Sequence, residues 1–269
     1  MIKVHVLHTG SVSVDRAIPF RHWNPFAKIG WFRSKKNRLH LPVSAYLIEH
    51  PKGLVLFDTG WNVDTREKVV NRKYFLPISY GMLPEGQAIH EQLARLGYAP
   101  SSLDYVFLSH LDGDHVGGLM HVKDAKHILV SELEWAAANQ SKTHIRYNPK
   151  RWSGIDVQTF QYAKTGVGPF GESFDVFGDG TVQLVSTRGH SPGLSTMLVS
   201  SGDKFVAMIG DTGYAQESWK ETTLPGLTVN KEEATKSLQW VRELSTRSGC
   251  LGIFATHDPE VEPCTVELC

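Results

Sequence analysis

Four short polar motifs, each directly after an apolar run typical of a β-strand, most constrain what this 269-residue chain can fold into. They contain the side chains His110, Asp112, Asp114, His115, His190, Asp211 and His257. The preceding apolar runs are Val106–Leu108, Val182–Val185, Phe205–Ile209 and Ile253–Ala255. Side chains at the ends of neighbouring strands converge in space, so the motifs predict one polar site on a rigid sheet. Histidine and carboxylate are ligand types that hold zinc, iron or manganese, and a metal site is therefore predicted.

The charge balance disfavours nucleic acid as the partner. The chain has 28 Lys and Arg against 28 Asp and Glu, so no net field attracts a polyanion, although a local basic patch stays open. We therefore expect a small-molecule substrate. The chain start has no secretory signal pattern, and no apolar stretch approaches the ~20 residues of a membrane span. Three cysteines, an odd number, favour a reduced, cytoplasmic setting over a disulfide framework.

Local patterns predict a chain that mixes strands and helices, which we read as one domain over residues 1–269. Helical spacing and capping signals indicate helices at 85–98, after Gly117-Gly118, after Ser131 and at 231–247. Residues 141–180 have weak periodicity and are predicted to form an irregular surface insertion. The predicted strands are Val4–Leu7, Ser44–Ile48, Leu54–Asp58, Tyr105–Leu108, His127–Val130, several between Val182 and Ile209, and Leu251–Ala255.

The order and spacing of five motifs resemble those of the metallo-β-lactamase superfamily and, within it, its N-acyl-homoserine lactonase-like branch. The resemblance spans nearly the whole chain and implies an α/β (α+β) fold, a four-layer αβ/βα sandwich with metal ions at one edge. The motifs that carry it are Leu56–Gly60, Ser109–Gly118, Arg188–Gly193, Gly210–Tyr214 and Thr256–Asp258.

The resemblance implies a centre of two divalent ions, with zinc expected and manganese or iron as alternatives. The ligands that it implies are His110, position 112 and His190 for one ion, Asp114, His115 and His257 for the other, and Asp211 as a bridge between both. Asp58 and Thr59 are expected to support these ligands from behind.

Position 112 departs from the family pattern, because Asp stands where histidine is usual. One interpretation is a degraded or empty metal site. The other is that Asp112 is itself a ligand, which would make the centre more neutral and raise the pKa of its bound water. The second interpretation predicts a pH-rate profile shifted to the alkaline side and a preference for harder ions such as manganese or iron.

The implied chemistry is hydrolysis, in which a metal-bridging hydroxide attacks a carbonyl group. Tyr214 is expected to donate a hydrogen bond to the oxyanion, and Asp114 to carry a proton to the leaving alkoxide. A tyrosine three residues after the bridging Asp211 favours lactone or ester substrates over phosphates, although tyrosine is also a common core residue.

Three alternatives stay open at this point. The His-x-Asp-x-Asp-His variant also resembles a branch thought to act on DNA, which gives a phosphodiesterase or nuclease. A thioester hydrolase like glyoxalase II is a closer cousin, and a non-catalytic protein with a vestigial site is a different class. The basic, aromatic segment 16–38 is either a lid over the metal cleft or a solvated loop. The oligomeric state is open, with a homodimer common among look-alikes.

Overall fold

Two β-sheets stacked face to face form the centre of the molecule in a computed structural model, which describes residues 1–24, 27, 34–68, 79–140 and 146–269. Within these residues the first sheet has the order β14-β1-β2-β3-β5-β6-β7, with β4 paired to β1. Its strands are β1 (Ile2–Asp15), β2 (Arg38–His50), β3 (Gly53–Phe57), β4 (Ser79–Met82), β5 (Tyr105–Leu108), β6 (His127–Ser131), β7 (Val157–Phe160) and β14 (Thr265–Leu268).

The second sheet has the order β13-β12-β11-β10-β9-β8. Its strands are β8 (Ala163–Lys164), β9 (Glu172–Asp175), β10 (Val182–Ser186), β11 (Ser195–Ser201), β12 (Lys204–Gly210) and β13 (Cys250–Ala255). The described helices are α1 (Thr65–Lys68), α2 (Ile89–Arg95), α3 (Gly113–Val116), α4 (Glu132–Ala138), α5 (Gln216–Lys220) and α6 (Lys231–Ser245). None of them combines the length and the apolar character needed to cross a bilayer.

Apolar residues on both faces explain why the central strands are buried. In β3, Leu54 and Leu56 pack on the helical side, whereas Val55 and Phe57 face the other sheet. Successive strand residues point to opposite faces, so a continuous apolar run fills two cores at once. On the far side of the second sheet, α6 covers a further apolar cluster that contains Leu238. The resulting order of helix, sheet, sheet, helix confirms the predicted four-layer sandwich.

Strand direction brings the polar motifs to one edge of this sandwich. β3, β5 and β6 are parallel, so the residues that follow them emerge on the same side. In the second sheet β12 is parallel to β13 and antiparallel to β11, which is itself antiparallel to β10. The chain therefore leaves β10, β12 and β13 in a common direction, towards the segments that contain His190, Asp211 and His257.

Most predicted elements are present, and one local prediction is wrong. The helix predicted after Gly117-Gly118 is present as a short 3-10 helix, Leu119–Val122, with Gly118 as its N-cap. A further short helix that the sequence did not predict, α3, comes before the glycines and has Asp112 as its N-cap. Within the segment 141–180, the described residues 146–180 are more regular than predicted, since they supply β7 to the first sheet and β8 and β9 to the second. Their strands are two to four residues long, too short to give a periodic signal.

Phe107 is a sensitive point of the core between the sheets. It is fully buried, and its ring lies 5.8 Å from that of Phe160 and 6.3 Å from that of Phe174. We expect Phe107→Ala to lower the free energy of unfolding by about 3–5 kcal/mol, because it leaves a cavity between two sheets. Urea denaturation measures this. Leu133→Ala is the control, since Leu133 is 46% exposed and its truncation should cost less than about 0.5 kcal/mol. Equal losses in both variants would contradict the assignment of this core.

Candidate metal centre

The motif after β5 supplies most of the polar side chains at the edge of the sandwich. His110 follows the strand after one residue, Ser109, and the short helix α3 then presents Asp114 and His115. The other three residues come from the segments after β10, β12 and β13. All seven side chains named from the sequence lie together at this edge, as the sequence predicted.

The potential ligand atoms form two compact groups. In each group they lie within 4.8 Å of one another. The first group is His110, His190 and Asp211, and the second is Asp114, His115 and His257. Asp211 faces both, because its Oδ1 lies 3.1 Å from His115 Nε2 and 3.3 Å from His257 Nε2, while its Oδ2 lies 3.6 Å from His190 Nε2. This is the placement expected of a carboxylate shared by two ions.

Buried atoms without partners indicate that these groups fit metal ions. His110 Nε2, His115 Nε2 and Asp211 Oδ1 are buried and have no hydrogen-bond partner among the described residues. A buried polar atom left unpaired is costly, and it therefore calls for a ligand. Imidazole nitrogens and carboxylate oxygens converging on one point are the donor set of zinc and related ions. The residues present thus fit the metal that the sequence predicts.

Contacts behind the histidines fix which nitrogen faces the centre. His115 Nδ1 lies 2.8 Å from Asp58 Oδ2, and His257 Nδ1 lies 2.8 Å from the carbonyl oxygen of Pro42. Both acceptors require a proton on Nδ1, which leaves a lone pair on Nε2 for a metal. The Ser109 backbone N–H also donates to Asp58, over 2.8 Å. Asp58 adopts a left-handed backbone conformation, φ 63°, which Asp tolerates better than most residues.

The charges of this cluster support one another. Burial by itself would raise the pKa of Asp211, but His257 and His115 outweigh it and hold that pKa well below its usual range. Burial would likewise lower the pKa of His115, but the Asp211 and Asp58 carboxylates outweigh it and raise the pKa well above the usual value. A divalent ion bound in place of the imidazolium proton would supply the positive charge that stabilises the same ionised carboxylates.

Asp112 lies outside both groups and is paired with an arginine that the sequence reasoning missed. Arg146 Nε and Nη2 donate to the two carboxylate oxygens of Asp112 over 2.6 and 2.7 Å. Burial tends to raise the pKa of Asp112, but Arg146 and His110 outweigh it and keep the carboxyl ionised. Arg146 offsets the charge of Asp112, so the predicted alkaline shift loses its basis. That Asp112 ligates metal stays a prediction.

A second buried acid, Glu134, ties two of the site loops together. Its carboxylate accepts hydrogen bonds from Leu111 N at 3.1 Å, Gly193 N at 3.0 Å and Ser191 Oγ at 2.7 Å. Glu134 therefore connects the segment of His110 to that of His190. Gly193 lies so close that a Cβ on it would stand 2.2 Å from Glu134 N. The helix predicted after Ser131 is also present, with the Ser131 side chain accepting a hydrogen bond from Glu134 N at its start.

A cavity of about 380 Å³ opens onto these groups. Its polar lining includes Asp112, Asp114, Arg146, Arg151, Asp211, Tyr214 and His257. Its apolar lining consists of Val12, Val14, Ile18, Trp61 and Leu227. Polar and apolar walls thus meet at the candidate metal centre, an arrangement suited to a substrate with one reactive polar group and an apolar body.

Tyr214 lies on the cavity wall with its hydroxyl group on the shared carboxylate. Tyr214 Oη donates to Asp211 Oδ2 over 2.6 Å. Burial and the neighbouring Asp211 carboxylate raise the pKa of Tyr214 well above its usual value, so the phenol keeps its proton. A neutral phenol beside the centre can donate a hydrogen bond to an oxygen that gains negative charge.

The predicted lid, segment 16–38, falls partly outside the described residues. Phe26, Trp31 and Phe32 belong to that part, so the lid stays a prediction. In the described part Ile18 lines the cavity, whereas Trp23 is 88% exposed.

The chain belongs to the metallo-beta-lactamase superfamily, because residues 39–247 match the model of that family. It is 27% identical over 229 residues to the N-acyl homoserine lactonase AttM of Rhizobium radiobacter, a match covering 82% of this chain and 83% of that protein.

Solved structures share the fold. An N-acyl homoserine lactone hydrolase with the product N-hexanoyl-L-homoserine bound at its catalytic metal centre has a TM-score of 0.75 at 24% identity. That match covers 96% of this chain and 94% of the other. AidC, a dizinc quorum-quenching lactonase, has a TM-score of 0.64 at 17% identity, over 96% of this chain and 88% of its own.

Asp58→Asn tests the support behind His115. The carboxylate of Asp58 accepts hydrogen bonds from Ser109 N–H and His115 Nδ1. The NH₂ group of an asparagine would face one of these donors, which would disturb the orientation of the His115 imidazole. We expect metal affinity to fall by about 10- to 100-fold, measured by competition with a chromophoric chelator. Asp124→Asn removes an exposed carboxylate and should leave the affinity unchanged. An unchanged affinity in Asp58→Asn would show that Asp58 does not orient a ligand.

Glu134→Gln tests the connection between the two loops. The amide nitrogen would face at least one backbone or hydroxyl donor, leaving buried groups unpaired at about 1–3 kcal/mol each. We expect the free energy of unfolding to fall by about 2–4 kcal/mol in urea titrations. Glu132→Gln, an exposed position on the same helix, is the matched control and should change little. A Glu134→Gln variant as stable as the control would refute the connection.

Proposed function

We propose that the protein is a metal-dependent hydrolase that opens the lactone or ester bond of a small acyl substrate. The observation that carries this proposal is the pairing of two ligand groups around Asp211, with the Tyr214 hydroxyl 2.6 Å from the same carboxylate. The superfamily membership and the likeness to N-acyl homoserine lactonases support this chemistry over the alternatives.

The ligands we assign are those predicted from the sequence. His110, His190 and Asp211 would hold one divalent ion. Asp114, His115 and His257 would hold the other, and Asp211 would be shared by both. Asp112 is proposed as a further ligand of the first. Zinc is the proposed metal, because imidazole dominates the donor set and a structural neighbour is a dizinc lactonase. When bound, such ions lower the pKa of a water molecule and polarise a carbonyl oxygen.

Chain residues supply the remaining functions. The Tyr214 phenol donates to the substrate oxygen on which negative charge develops, and does so without losing its own proton. The Asp114 side chain is partly accessible, 17% exposed, and can carry a proton to the leaving alkoxide. Val12, Ile18 and Trp61 offer apolar contact to the acyl part of the substrate and exclude water around the reacting carbonyl.

We also propose one domain and a reduced, cytoplasmic setting. β1 and β14 pair directly, and Ile2 and Leu268 share the core between the sheets. The three cysteines are free thiols, two of them exposed, which suits a reducing compartment.

A substrate panel tests the proposal. Purified protein with measured metal content is assayed on N-acyl homoserine lactones of several acyl lengths, a simple ester, a thioester and bis-(p-nitrophenyl) phosphate. We expect lactone opening to exceed the other activities and to disappear on chelation. Hydrolysis of the phosphate diester alone by metal-loaded protein would replace the proposal with a phosphodiesterase.

Tyr214→Phe tests the oxyanion donor. Loss of one preorganised donor is expected to lower kcat on the preferred lactone by about 10²- to 10³-fold while KM changes little. Steady-state kinetics at fixed metal content measure both constants. Tyr105→Phe removes a hydroxyl outside the cavity lining and should keep wild-type kinetics. A Tyr214→Phe variant with unchanged kcat would remove Tyr214 from the mechanism.

A further inference from the structure

Arg146 makes unusually complete contact with one half of the candidate metal centre. Besides the two hydrogen bonds to Asp112, its Nη1 donates to the carbonyl oxygen of His190 over 2.7 Å. Its Nη2 also lies 2.7 Å from His190 Nε2. The guanidinium group therefore fixes Asp112 and the His190 loop together, with a planar, charge-assisted geometry that lysine could not reproduce.

The contact with His190 Nε2 uses the atom that a metal ion needs. A guanidinium group can only donate hydrogen bonds, so Nε2 must accept with its lone pair. The same lone pair is the one that would bind zinc. An ion at the first group must therefore displace Arg146 Nη2 from His190, and it must do so beside a permanent positive charge.

In the described part of the chain, no arginine or lysine donates to a ligand atom of the second group. Among the residues that the structure describes, the ion-pair partners of Asp114, His115 and His257 are one another, Asp58 and Asp211. Arg151 is near Asp114, but its guanidinium donates to the backbone carbonyl of Gly113. In this group His115 Nε2 is buried, makes no hydrogen bond to the described residues, and lies 3.1 Å from Asp211 Oδ1, which belongs to the shared ligand.

We infer that Arg146 makes the two metal sites unequal. The Asp114, His115, His257 group with Asp211 binds a divalent ion first and tightly. The His110, His190 group binds the second ion more weakly and exchanges it, because Arg146 occupies a ligand atom and neutralises Asp112. The enzyme is thereby sensitive to the supply of metal at one site. The inference rests on the proposed metal-dependent function but concerns metal affinity alone.

Calorimetric titration of metal-free protein with Zn²⁺ tests the inference. In the wild type we expect two binding events whose affinities differ by at least about 10-fold, the scale of effects from groups that contact metal ligands. Arg146→Met should tighten the weaker event by about 10- to 100-fold and leave the tighter one unchanged. Arg146→Lys keeps the charge without the planar fork and should give an intermediate affinity.

Control variants assign each event to a site. Lys150→Met removes an exposed positive charge from the same segment and should reproduce both wild-type events. His190→Ala should abolish only the weaker event, and His257→Ala should impair the tighter one. A purely structural role for Arg146 would instead lower the melting temperature of the metal-free protein and weaken both events together in Arg146→Met, and that result would overturn the inference.

Three further results would overturn the inference, and they differ in what they say of the proposed function. Equal affinities in the wild type, or a weaker event unchanged in Arg146→Met, would refute the inference and leave lactone hydrolysis standing. Absence of any Zn²⁺ binding would refute both.

Discussion

The buried carboxylates at one edge of the sandwich are the constraint on which the rest of the site depends. Asp58, Glu134 and Asp211 are almost inaccessible to water, and ionised groups in such positions are unfavourable unless opposite charge or hydrogen-bond donors surround them. Each of these three carboxylates is stabilised by a different set of neighbouring groups. Glu134 accepts from backbone and hydroxyl donors, Asp58 from Ser109 and His115, and Asp211 stands among imidazoles. Cations complete the balance around Asp211, so metal binding and folding are connected at this edge.

The scaffold provides this edge through strand direction rather than through any single contact. The strands that precede the site leave the two sheets on one side, and the rigid apolar layers behind them hold the loop ends in place. The site residues lie on loops and on the short helix α3, while the sheets behind them stay packed. The loops around the site can therefore differ between relatives without loss of the fold. Low identity at a TM-score of 0.75 is consistent with that division.

Features that depend on local sequence patterns could be predicted, whereas contacts between residues distant in the sequence could not. The motif around His110 and the strands before His190, Asp211 and His257 are local patterns, so the fold was predicted correctly and the predicted site residues could be named before their convergence was seen. The partner of Asp112 was not predictable, because Arg146 lies 34 positions away in a stretch without periodicity. The short helix α3 before Gly117-Gly118 was also missed, because four residues give no periodic signal. The three contacts of Glu134 likewise depend on the tertiary structure alone.

The hydrogen bond between His257 and Pro42 spans 215 residues, and it has a consequence for how the protein is made. Contacts this distant in sequence form only after nearly the entire chain is available, and they slow folding because a long loop must close. A nascent chain on the ribosome can pair β1 to β7 of its first sheet early, yet it cannot finish the cation-binding pocket until β13 and the segment after it emerge. Capture of metal is therefore a late event in biogenesis, well after the first half of the molecule has been synthesised.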